Sequence, residues 1–95
     1  MDGFILDEVI ARVRQMEMYF DLLKKAEKEN PASLQSNPWT KEFLRVLTEY
    51  YEGGQWLCDY ETDEKGLLPD TLKRGVLSQD AVYDFLDRIK TEKEN

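Results

Sequence analysis

The sequence predicts an all-α fold: a small antiparallel helical bundle of three to four helices, with two longer helices, one short helix and one C-terminal helix. Three observations carry this. Apolar residues recur at spacings of three and four in three separate segments. No stretch of useful length alternates with period two, as a half-buried strand would. Proline and glycine fall between the periodic segments, at Pro31, Asn37-Pro38, Gly53-Gly54 and Gly66. The whole chain, 1-95, reads as a single helical domain with a polar tail at about 91-95. With 41% hydrophobic and 35% charged residues it can bury one modest core.

The first helix is expected over residues 4–29. Leu6, Val9, Val13, Met16, Phe20 and Leu23 form one continuous stripe. Glu8 with Arg12 and Asp21 with Lys25 make i,i+4 pairs on its flanks. Pro31 ends it, because the residue before proline avoids the α region. The stripe suits a core-facing helix; it also suits the seam of a homodimer through the first helix. Residues 31–37 read as a connection. Asn37 and Pro38 then serve as N-cap and first residue of a second helix. Trp39, Phe43, Leu47 and Tyr50 share one face of it, and Gly53-Gly54 closes it.

A short third helix is expected over Gln55–Glu64, with Trp56, Leu57 and Tyr60 on its apolar side. Asp59, Glu61, Asp63 and Glu64 are expected to face out. Gly66 fits the C′ position, Asp70–Arg74 a single helical turn stopped by Gly75, and Ser78 the N-cap of the last helix. Val82, Phe85, Leu86 and Ile89 give that helix its apolar face, and the tail TEKEN is expected to fray.

Composition excludes several functions. The chain has no histidine and one cysteine, Cys58, so a structural zinc site and the His-assisted nucleophiles are out of reach. Cys58 is expected to pack as a small hydrophobe. No apolar run is long enough to span a membrane, and the N-terminus lacks a signal-peptide pattern, which predicts a cytoplasmic protein with no membrane contact. Net charge is −7; residues 55–72 hold five acidic side chains and one basic, so −4 of it. That field repels nucleic acid and attracts a basic protein.

Site candidates centre on this stretch. Asp59, Glu61 and Asp63 have the first three spacings of an EF-hand loop. Glu64 and Asp70 stand where its glycine and final glutamate belong, so no specific metal site is expected. Lys73 and Arg74 before Ser78 could meet an anion at a helix start, or fold back on Asp59 or Asp63. Trp39 could stand exposed as an interaction hot spot. The candidate interaction patch is therefore Asp59, Glu61, Asp63, Glu64, Lys73, Arg74, Ser78 and Trp39, with no catalytic residue, cofactor or metal. An enzyme is not expected. The favoured reading is a protein-interaction module, an adaptor or inhibitor with an acidic face. An anion or divalent-cation ligand sensor built on residues 59-78 and a nucleic-acid-mimic inhibitor are the alternatives.

From Tyr50 the chain reads YYEGGQWLCDYETDEKGLLPDTLKRGVLSQDAVYDFL. This resembles a family of short, acidic, uncharacterised bacterial proteins classed as a domain of unknown function. The shared features are a tyrosine pair, a tryptophan, an acidic run, a Gly-x-Leu-Pro turn and Leu72-Lys73-Arg74-Gly75-Val76-Leu77-Ser78 before a terminal helix. The chain departs from the pattern at Gly54, where the family has an N-capping serine. The resemblance implies an all-α domain of bacterial or phage origin and implies no activity.

Overall fold

In a computed structural model the chain is mostly helical. The backbone is described for residues 2–78 and 80–94, and side chains for residues 6–78 and 80–89. Five α-helices follow one another: α1 (Asp2–Glu29), α2 (Ser33–Ser36), α3 (Pro38–Glu52), α4 (Gln55–Glu64) and α5 (Ala81–Glu94). A 3-10 turn at Gly75–Leu77 lies between α4 and α5, and there is no strand among the described residues.

The stripe on α1 faces the core: Val9, Val13, Met16, Phe20 and Leu23 are buried and Leu6 packs against them. Phe20 meets Phe85 of α5 edge-on, with ring centres 5.6 Å apart. Leu47 and Tyr50 of α3, Trp56 of α4, and Val82, Phe85 and Ile89 of α5 complete the inner wall.

The segment 31–37 holds more than a connection. Asn30 O accepts from both the Ser33 amide (2.9 Å) and its hydroxyl (2.7 Å), which starts the single-turn helix α2. That turn drives Leu34 into the core. α3 begins as expected: Asn37 Oδ1 accepts from the Trp39 amide at 2.9 Å with Pro38 behind it. At its far end Gly54 has φ +95°, in the left-handed region. A serine there would be strained, which accounts for glycine in place of an N-cap. Arg12 does not pair along α1 with Glu8; it reaches α4 instead.

α4 ends in a Schellman motif. Gly66 has φ +74°, its amide donates to Asp63 O at 2.9 Å, and the Leu67 amide donates to Thr62 O at 3.4 Å. Leu68 and Leu72 then turn inward. The expected helical turn at Asp70–Arg74 is not formed. The carbonyls of Leu68, Pro69, Asp70 and Leu72 accept from the Arg74 side chain, and helical geometry begins only at Gly75. Ser78 closes that 3-10 turn through its amide, which donates to Gly75 O at 3.2 Å. It stands three residues before α5 and is not its N-cap, since helical bonding in α5 begins at Asp80 O, which accepts from the Asp84 amide. α5 runs to Glu94, so the tail expected to fray is helical in backbone up to Asn95, which lies outside the described residues.

Candidate functional site

Two arginines from outside α4 hold its acidic run in place. Asp59 is not an outward residue. It is 0% exposed, because it lies three residues after Trp56 and shares the buried side of α4. Arg12 of α1 grips it with two bonds, Nε to Oδ2 at 2.9 Å and the terminal nitrogen to Oδ1 at 2.5 Å. The Tyr50 hydroxyl of α3 donates to Oδ2 at 2.7 Å. A carboxylate out of water is costly unless paired and hydrogen-bonded, and here a planar fork and a phenol supply both. The phenol answers in kind: burial, then its bond to the carboxylate, pushes Tyr50 well above the usual tyrosine range. The bond to Asp59 likewise raises the Arg12 guanidinium.

Asp63 is the partner of Arg74. Arg74 Nε donates to Asp63 Oδ1 at 2.7 Å, while its terminal nitrogens donate to Leu72 O (2.9 Å), Leu68 O (3.1 Å) and Pro69 O (2.6 Å). One side chain thus ties α4 to the loop that follows it, and every nitrogen of the guanidinium is occupied. Lys73 stays exposed, 3.4 Å from Asp21 of α1. Arg74 is committed and Ser78 stands three residues before α5, so the two do not meet at a helix start.

A second buried carboxylate lies beneath the same loop. Glu17 Oε2 accepts from the Val76 amide at 2.6 Å, and the Trp56 indole donates to Val76 O at 2.8 Å. Val76 is therefore clamped on both sides of its backbone. Gly75 permits the approach, since a Cβ there would lie 2.7 Å from Glu17 Oε1. Among the described residues no buried side-chain nitrogen or oxygen lacks a partner.

The EF-hand spacing fails for a geometric reason. Residues two apart on a helix point about 200° away from each other, so Glu61 diverges from Asp59 and Asp63, and those two are each turned to a different arginine. Among the described residues no three potential ligands converge on a metal position. Glu61 and Glu64 remain outside, on a face that also carries Leu57 at i, i+4 and i+7. Leu57 is 52% exposed and Leu67, just past the helix, is 54% exposed. Glu64 pushes the Tyr60 phenol upward by its charge. Cys58 is exposed on this side and not packed inside, because the inner positions of α4 belong to Trp56 and Asp59. Trp39 is 72% exposed, but it begins α3, about 20 Å of helix from the turn into α4. It does not join the patch.

Reading the sequence missed Arg12, Glu17 and Tyr50 as the residues that organise this region. One signal was available. Glu17 falls four residues after Val13 and three before Phe20, inside the apolar stripe, where a charge needs a buried partner.

The family model of a domain of unknown function, DUF4298, matches residues 6–93, and the chain belongs to that family. No curated protein and no solved structure matches the chain. Among the described residues no helix is long and apolar enough to cross a membrane.

Proposed function

We propose that this DUF4298 domain is a protein-interaction module, an adaptor or inhibitor that meets a basic partner through the outer face of α4. One observation carries the reading. Arg12 and Arg74 draw Asp59 and Asp63 inward, while Glu61 and Glu64 stay in solvent beside exposed Leu57, with no ion-pair partner among the described residues. Carboxylates around an exposed leucine suit a surface that is apolar at its centre and basic at its rim.

The module is read as a binder and not an enzyme. What supports this is the use of each buried polar group by another part of the same chain, which leaves none aimed at a substrate. The same use weakens the cation-sensor and nucleic-acid-mimic alternatives, because two acids of the run are already neutralised. An exposed, unpaired Cys58 goes with a reducing, cytoplasmic setting, and the bacterial origin implied by the resemblance goes with the same reading.

The test is capture of partners by the immobilised domain at low and high salt, beside the pair Glu61→Lys with Glu64→Lys. A partner retained by the native domain, weakened by salt and lost with the charge reversal is the expected result. A partner indifferent to both changes refutes the α4 face as the interface.

A further inference from the structure

Between α3 and α5 the surface opens into two adjoining hollows of about 460 and 420 Å³. They share Leu44, Thr48 and Ile89, so they form one trough along α3. Its walls are apolar, with Tyr51 and Leu86 in one half and Leu34 in the other. Tyr83 stands at the lip, 54% exposed. None of these residues belongs to the α4 face.

The trough has a direction. Glu52 lines one end and Lys41 lines the other. Between them Arg45 is balanced by Glu42 and Glu49 on α3 itself. Lys41 and Glu52 are eleven residues apart on one helix, a span of about 16 Å, or three turns of a helix laid alongside. An α-helix carries partial positive charge at its N-terminus and partial negative charge at its C-terminus. The two ends of the trough complement those of such a helix.

We infer that the α3–α5 trough is a docking site for a three-turn amphipathic helix of a partner protein, seated with its N-terminus at Glu52 and its C-terminus at Lys41. Apolar side chains at i, i+3 or i+4, and i+7 of that helix fill the space over Leu44, Thr48 and Ile89. Tyr83 closes over it as the aromatic anchor. With a second, separate surface on α4 the module is an adaptor able to hold two partners. This docking site stands on its own observations, whatever binds α4.

The test uses the full chain, isotope-labelled for NMR, and a fourteen-residue amphipathic Leu/Ala/Gln/Lys helix as the probe. Saturable shifts are expected at Leu44, Thr48, Tyr83 and Leu86. A nitroxide on the peptide's N-terminus should broaden Glu52 and Tyr83, and one on its C-terminus should broaden Gln35 and Lys41. Thr48→Arg, which fills the trough, should weaken binding at least about tenfold, with an unchanged circular dichroism spectrum as the check on folding. Tyr83→Lys is the second variant, outside the core. Glu61→Lys with Glu64→Lys should leave peptide binding unchanged, which separates this site from the α4 face. The inference is overturned by the reverse orientation, by shifts confined to α4, or by no saturable shift. Concentration-dependent shifts of the same residues without peptide would place a second copy of this chain there and overturn it as well.

Discussion

Among the described residues Asp59 and Glu17 are the carboxylates taken out of water, and each is held by groups from another helix or turn. Removing one partner of a buried ion pair strands the other charge, so Arg12→Ala should destabilise the domain by about 3–5 kcal/mol. Urea unfolding of Arg12→Ala, Asp59→Ala and the double variant checks this. Most of the loss should be shared, with the double variant far less damaged than the sum of the singles. Gly75→Ala is the counterpart at the second carboxylate. A methyl 2.7 Å from Glu17 Oε1 must push that side chain off the Val76 amide. The expected cost is about 1–3 kcal/mol, the penalty of a buried donor left unmade, read as a lower urea midpoint at constant slope.

At the scale of elements, the loop after α4 depends on one residue. Arg74 collects the carboxylate of Asp63 and the carbonyls of Leu68, Pro69 and Leu72, which ties the end of α4 to the loop after it. Arg74→Ala should therefore loosen residues 65–74 more than the bundle as a whole. Amide exchange checks it: protection at Leu72 should fall by more than protection at Val13 or Phe20. The coupling energy between Arg74→Ala and Asp63→Ala should exceed about 0.5 kcal/mol, because the pair is partly shielded from water. Lysine cannot replace the arginine, since a point charge offers no fork to reach carbonyls on two sides.

For the whole molecule, the Tyr50 phenol links pH to folding. Its value in the fold lies above the ordinary 10.0, chiefly through burial. The unfolded chain therefore loses that proton first as pH rises. The stabilisation is complete below pH 10 and declines above it, by about 1.4 kcal/mol per pH unit from this one group. Thermal or urea unfolding between pH 9 and 11.5 should show the decline, and Tyr50→Phe, though less stable at neutral pH, should show less of it. Charge sets the other expectation at this scale. Net −7 without a basic stripe should leave duplex DNA unbound in a gel shift at ~150 mM salt.

The sequence by itself determined the four longer helices and the inward faces of α1 and α5. The stripe from Val9 to Leu23, the Asn37 cap, the stops at Gly54 and Gly66 and the inner face of α5 all follow from local rules: side-chain period, capping chemistry and the steric freedom of glycine. Tertiary structure decided the fate of the charges. Asp59 and Asp63 differ by four residues on one helix, yet one is sealed under Arg12 from forty-seven residues upstream and the other is tied to Arg74. Which arginine arrives at which carboxylate depends on how α1 and the 65–74 loop pack against α4, and spacing along the chain carries no record of that. The same packing turned a run of four acids into two structural anchors, Asp59 and Asp63, and two surface carboxylates, Glu61 and Glu64. It also left the trough between α3 and α5, because a hollow is a property of two helices set side by side and of neither one alone.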